Sequence, residues 1–237
     1  VYQQVSPYSH LISGGQTTAA QLFVNLNTGQ KGLAALWDVV AFDEMPKAGF
    51  EDKKVIDIAK NYMEDGQFSR GREIISAEGS IVMVGNIDGD IETILRTSHL
   101  FYPMPKQMDL AFLDRIHCYL PGWEFEKTGD AYYTPHLGLV SDYLAEVFTK
   151  LRKDSYTHRP EELFRFGSHL TGRDQKAVRK TVSGLLKLLH PNGEVAKEEL
   201  EGYLDVAMEM RRRVKEQLKK MGGMEYWDVN FSFTDRD

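Results

Sequence analysis

The amino-acid sequence predicts an α/β fold: a parallel sheet, then a mainly helical region. Three observations predict it. Short apolar, strand-like runs alternate with helix-period patterns from about Val5 to Gly122; strand signals stop after "LPGWEFEKTGD"; three long helical patterns then follow one another. The 237 residues are 42% hydrophobic, enough to bury a core. Lys+Arg number 29 against 35 Asp+Glu, a net charge of −6, so any nucleic-acid contact has to come from a local basic patch rather than overall basicity. The single cysteine, Cys118, excludes an intrachain disulfide framework and a multi-cysteine zinc site, and it fits a reducing compartment. No uninterrupted apolar run reaches the ~18 residues of a membrane span, and "VYQQVSPYSH" is not a signal peptide. The expectation is a cytoplasmic protein with no membrane partner.

In chain order, "VYQQV" reads as the tail of a helix and the chain as a fragment. The first strand runs from Tyr8 to Ser13. "ISGGQTT", Ile12 to Thr18, carries glycines before a helix cap but no lysine, and reads as a turn. Thr17 or Thr18 opens a helix carrying Leu22, Phe23 and Leu26. The second strand spans Leu36 to Phe42. A helix from about Asp52 follows, with Val55, Ile56, Ala59, Tyr62 and Met63 on one face and Gly66 as its stop. A polar, glycine-punctuated hairpin then leads into a third strand, Ser80 to Gly85, and a fourth is expected at Arg115 to Leu120. Gly122 and Gly129 mark a linker. Helices follow with apolar faces at Leu137 to Leu151, Val178 to Leu189 (stopped by "HPNG") and Leu200 to Met221 (stopped by Gly222 and Gly223). "MEYWDVNFSFTDRD" returns to strand-like alternation too short to fold alone. The expected divisions are 1–124, an α/β subdomain; 125–223, a helical lid; and 224–237, a connector.

The chemistry begins with "LAALWDVVAFDEMP", a run apolar enough for a buried strand that ends in Asp43 and Glu44. Buried charge is expensive unless paired or serving a metal. In open parallel sheets, ligands collect at the carboxyl ends of the strands. Two carboxylates there suit a Mg-nucleotide: Asp43 holding Mg²⁺ through water, Glu44 orienting the attacking water. A strand simply leaving the core for a polar loop gives the same letters. Asn86 ends a second apolar run, "SIVMVGNI", where it could reach the γ-phosphate or the attacking water; its turn preference before "IDGD" explains it equally well. The seven histidines show no metal-binding spacing.

A strand ending in DE, a helix, and then "EDGQFSRGREIISAEGSIVMVGN" resembles the AAA+ P-loop ATPases with a β-hairpin inserted before the sensor-1 strand, a group that includes the MCM helicases and the sigma-54 activators. The resemblance implies a AAA+ core with a helical lid, Asp43 and Glu44 as the Walker B pair, and Asn86 as sensor 1. It implies that Arg115, in "AFLDRIHCYL", is the finger inserted into a neighbouring subunit's site. It puts the sensor-2 arginine of the lid at Arg173, with Arg179 as second choice, and points Arg70 and Arg72 of the hairpin toward DNA in a ring pore. "SPYSHLISGGQTTAAQLFVN", "GLAALWDVVAFDE", "HCYLPGWE", "VRKTVSGLLKLLHPNGE" and "RRRVKEQLKKMGGMEYWDVNFSF" together closely resemble the Lon-like AAA+ ATPases of BREX phage-defence systems, the BrxL family. That resemblance covers essentially the whole chain. It implies ATP and Mg²⁺ as cofactors, a homo-oligomeric, hexameric ring, and duplex DNA and other BREX components as partners.

No G-x-x-x-x-G-K-[ST] loop occurs in the chain. The resemblance puts that loop, Walker A, and the first strand immediately before "VYQQV", so the chain alone is expected to be inactive. Two other functions compete. A protein unfoldase feeding a Lon-type chamber would carry a pore aromatic followed by glycine, which Phe68 in "GQFSRG" matches in part. A non-enzymatic assembly module would have lost its site. The run "MRRRVKEQLKK", interleaved with Glu209 and Glu216, reads as a solvated helix face.

Overall fold

The computed structural model describes residues 5–236 apart from 15, 16, 46–49, 51, 70–72, 128, 130–134 and 139. The first half contains β1 (Ser9–Ser13), α1 (Ala19–Leu22), α2 (Leu33–Leu36), β2 (Val39–Asp43), α3 (Lys53–Asp65), β3 (Gln67–Ser69), β4 (Ile74–Ser76) and β5 (Ser80–Met83). β1, β2 and β5 form a parallel sheet with β2 in the centre, in register Ser13 to Asp43 and Phe42 to Met83. Val39 to Phe42 are all buried, as a strand covered on both faces requires.

α3 crosses back between β2 and β5. Asp52 caps it by accepting from the Lys54 N–H, and Val55, Ile56, Ala59 and Tyr62 form its buried face. Gly66 ends it in the left-handed region, at φ 71, which costs a glycine little. The Tyr62 hydroxyl donates to the Gly79 carbonyl at 2.5 Å, pinning the end of α3 to the start of β5. Burial pushes that phenol up to about 12, so it remains a donor. β3 and β4 form the hairpin expected between α3 and the last sheet strand.

The second half contains α4 (Ile91–Thr97), α5 (Leu110–Leu113), α6 (Ser141–Leu151), α7 (Arg159–Leu163), β6 (Phe164–Phe166), α8 (Gly172–Leu189), α9 (Lys197–Lys220) and β7 (Phe233–Asp235). Thr171 and Asp174 close a capping box at the start of α8. One core gathers Phe23, Phe42, Phe50, Phe68 and Phe112; a second gathers Phe164, Val178, Val182, Leu186 and Leu204. α9 enters both. Leu200 to Met208 pack in the second core, whereas Val214 and Leu218 pack in the first. At 24 residues it spans about 36 Å, long enough to join the two.

Several expected elements differ. The helix opened by Thr18 stops at Leu22, because the Asn25 side chain accepts from the Asn27 N–H and Gly29 turns the chain at φ 71; Leu26 is exposed. Leu36 belongs to α2, and the second strand begins only at Val39. The helix expected from Leu137 begins at Ser141, leaving Leu137 fully exposed. The expected fourth strand at Arg115 to Leu120 is absent. Its backbone turns to α9 instead of the sheet: the Tyr119 N–H donates to the Met210 carbonyl, and the Ile116 carbonyl accepts from Arg211. In the C-terminal stretch β7 pairs antiparallel with β6, and Tyr226 is buried in the first core.

Candidate functional site: a carboxylate end and an arginine end

β2 carries Asp43 to the carboxyl end of the sheet. Pairing continues past the strand, with the Val84 N–H donating to the Phe42 carbonyl and the Met45 N–H to the Val84 carbonyl, both at 2.8 Å. Asn86, two residues beyond Val84, therefore enters the loop beside Asp43 and Glu44. The Glu44 N–H donates to Asp43 Oδ1 at 2.9 Å. Glu44 sits at φ 51, and among the described residues it is the one non-glycine in the left-handed region. That conformation costs about 1–3 kcal/mol at a bulky residue and persists where the surroundings enforce it. Here it exposes Glu44 while returning Met45 to the core, 1% exposed.

Asp43 is half-buried and Asn86 exposed. Among the described residues no group of three or more His, Cys, Asp or Glu gathers to hold a metal. A pair of carboxylates at a sheet end fits Mg²⁺, which takes one or two protein carboxylates and fills its remaining positions with phosphate oxygens and water. Arg70 and Arg72 lie outside the described residues. Phe68 is 1% exposed, 4.9 Å from the Phe23 ring and edge-on to Tyr62, so it is a core residue and cannot serve as a pore aromatic.

The arginines gather elsewhere. Arg115 follows α5, and its Nη1 donates to the Ala111 carbonyl at 2.5 Å. Its Nε lies 3.0 Å from Glu64 Oε2. Arg173, the second residue of α8, donates from Nε to the same Glu64 oxygen at 3.1 Å and from Nη1 to Asp114 Oδ2 at 2.9 Å. Arg115, just after α5, and Arg173, at the start of α8, thus converge on one carboxylate. Glu64 lies near the C-terminus of α3, the end that Tyr62 pins to the start of β5. The cluster is therefore toward the amino ends of the strands, away from Asp43 and Asn86. Arg179 is not part of it. Six residues on, it faces another side of α8, donating to Glu161 at 2.7 Å and Gln175 at 3.0 Å over the Phe166 ring.

Below the cluster lies a buried network that the sequence reading missed. Arg211, 1% exposed, donates to Asp114 Oδ1 at 2.7 Å, Asp174 Oδ1 at 2.8 Å and the Ile116 carbonyl at 2.6 Å. Lys215 adds a bond to Asp174 Oδ2 at 3.1 Å and stands over the Tyr226 ring. Asp114 pairs with Arg211 and Arg173 rather than with its neighbour Arg115. Burial alone would raise the Asp174 carboxyl; Arg211, Thr171 and Lys215 outweigh it and hold it below the usual range. A signal for Arg211 was present: it follows Leu204 and Ala207 and precedes Val214 and Leu218 on the apolar stripe of α9.

Beside the cluster, burial and the nearby Lys180, Arg211 and Lys176 push the His117 imidazole down to about 4. A cleft of 540 Å³ opens on the other side of Arg173, lined by Gly172, Lys215, Glu225 and Tyr226 among others.

A family profile described as the ATPase domain of Lon-like protease BrxL-like proteins matches residues 1–232. Lon-like protease BrxL of Escherichia coli O9:H4 (strain HS) is 52% identical over 238 residues, covering 100% of this chain and 34% of that protein. Lon-like protease BrxL of Bacillus cereus (strain H3081.97) is 52% identical over 239 residues, covering 100% of this chain and 35% of its own length. The chain spans about a third of the length of the curated relatives it matches. A solved structure from Cytophaga hutchinsonii superposes with a TM-score of 0.42 and 13% identity, over 97% of this chain and 80% of that one, too distant a likeness to bear on fold or function.

Proposed function

The chain belongs to the ATPase-domain family of Lon-like BrxL proteins, a AAA+-type ATPase module, and we propose that it supplies the hydrolysis half of a nucleotide site in a ring-shaped motor acting on duplex DNA in phage defence. The observation that carries the reading is Glu44: an acidic residue held in the left-handed region at the end of the central strand, next to Asp43 and beside the loop of Asn86. Asp43 would hold Mg²⁺, and Glu44 would orient the attacking water and take its proton. Asn86 would position that water or the γ-phosphate. Bound Mg²⁺ would neutralise charge developing on the transferred phosphate.

Arg115 supports assembly into a ring. It lies away from its own Asp43, where a finger serving a neighbouring copy has to lie. Its charge would then stabilise the neighbour's transition state. Arg70 and Arg72 are the proposed DNA contacts of the hairpin, and other BREX components the proposed partners. The same reading puts the motor in the cytoplasm; among the described residues no helix is long and apolar enough to cross a membrane. Burial of Phe68 weighs against the protein-unfoldase alternative.

The test is ATP turnover by the intact protein that carries this chain, alone, with duplex DNA and with casein. Stimulation by DNA, lost in Arg70→Ala/Arg72→Ala and weakening as salt rises, supports the DNA motor. Stimulation by casein alone overturns it.

A further inference from the structure

The two long helices of the second core turn charged faces outward. On α8, Lys180, Gly184, Lys187 and Leu188 follow one another at i, i+4, i+7 and i+8, the spacing of one helical face. On α9, Glu198, Gly202, Asp205 and Val206 repeat that spacing with the charges reversed. Val178, Val182 and Leu186 of α8 share the second core with Leu200, Leu204 and Ala207 of α9, so within one chain the two charged faces point away from each other.

Neither face is satisfied internally. Burial and the neighbouring Lys176 push the Lys180 ammonium down. Burial and Arg152 do the same to Lys187, with Asp154 offsetting part of it, and Lys187 Nζ donates to the Arg152 carbonyl at 3.3 Å. Lys197, beside Glu198, is taken by Asp235 at 2.9 Å. Among the described residues Lys180, Glu198 and Asp205 form no ion pair. Leu188 is 52% exposed and Val206 43%. A glycine inside a helix costs stability relative to alanine. At Gly184 and at Gly202 an added Cβ would meet nothing within 4 Å, so no neighbour in the chain uses the space. Without side chains at those points the axis of a second helix can come close.

We propose that the α8 face of one copy docks on the α9 face of another, the helices crossing at Gly184 and Gly202, with Lys180 and Lys187 meeting Glu198 and Asp205 and with Leu188 and Val206 buried beside them. Charge alone would attract a nucleic-acid backbone equally. Glycine and leucine in the basic face fit a helix instead, and a helix of matching spacing and opposite charge stands on the same chain. Two different patches make a heterologous contact, which closes into a ring or runs on as a filament. The proposal deepens the ring reading but uses neither Arg115 nor the carboxylate end. Its test reads association rather than turnover, so either reading can fail alone.

The test is sedimentation of the intact protein that carries this chain, over a range of concentrations. Lys180→Glu/Lys187→Glu and, separately, Glu198→Lys/Asp205→Lys are each expected to raise the concentration for half-assembly at least about tenfold, because attractive contacts become repulsive. Mixing the two variants in equal amounts restores assembly, since each then offers the other the opposite charge, and so does one chain carrying all four substitutions. Gly184→Leu, a better helix former, is expected to raise the melting temperature of the dissociated protein yet weaken assembly by filling the crossing point. Association unchanged in both charge variants, no recovery on mixing, or a loss confined to duplex DNA binding would overturn the proposal.

Discussion

Replacing Arg211 with methionine tests how α9 is held to α8 and to the segment that follows α5. The guanidinium makes three buried bonds, to Asp114, Asp174 and the Ile116 carbonyl. Removing one partner of a buried ion pair generally costs about 3–5 kcal/mol, because the remaining charge stays buried without compensation. Here Asp114 keeps Arg173, and Asp174 keeps Lys215 and Thr171, which puts the loss near the low end, about 3 kcal/mol. For a chain of this size that lowers the melting temperature by about 6–12 °C. The control is Arg212→Met. Arg212 is 39% exposed and pairs with Glu209 and Glu216 on the outer face, so its loss should cost no more than about 1 kcal/mol. Thermal and urea unfolding of the three proteins decides it. Equal stability of the two variants would refute the buried network as the joint.

Two further predictions follow from the same geometry. The His117 imidazole titrates near 4 in the folded chain against an ordinary 6.5, so between those values the unfolded chain binds the extra proton. The stability it contributes is whole above pH 6.5 and is lost as pH falls toward 4, by up to about 3 kcal/mol. His117→Gln should flatten the pH dependence of unfolding over that window, and an unchanged slope would count against the burial of the neutral ring. If Arg115 is the proposed finger, Arg115→Ala subunits mixed with wild type in the intact protein should depress turnover more than in proportion to their fraction, each disabling a neighbour; a strictly proportional fall would rule out the finger.

The sheet was legible because its signals are local. The runs Val39 to Phe42 and Ile81 to Met83 are continuously apolar, and the DE pair interrupts the first abruptly. Two helix starts were legible for the same reason, one at Thr17 or Thr18 and one at Asp52, whereas the capping box of Thr171 and Asp174 was not read. What was hidden depended on partners far apart in the chain. Arg115 to Leu120 has the composition of a strand, yet its hydrogen bonds go to α9, about 95 residues later. Asp114 next to Arg115 looks like a surface pair until Arg211 and Arg173 are found to have taken it. The run of three arginines at 211–213 has one meaning for composition and two for helix phase: Arg211 points inward, while Arg212 and Arg213 meet Glu209 on the surface. Asp43, Glu44 and Asn86 came from residue type and position at strand ends, whereas Glu64 carried no sequence signal, since its role rests on two arginines brought to it by folding.

The most direct test of the central claim compares Glu44→Gln with wild type in the intact protein, measuring ATP binding and ATP turnover separately. The amide keeps the shape and the neighbouring Asp43 but cannot take a proton from water. The account predicts ATP binding within about twofold of wild type and turnover reduced about 100-fold or more. Turnover that survived the substitution would contradict it.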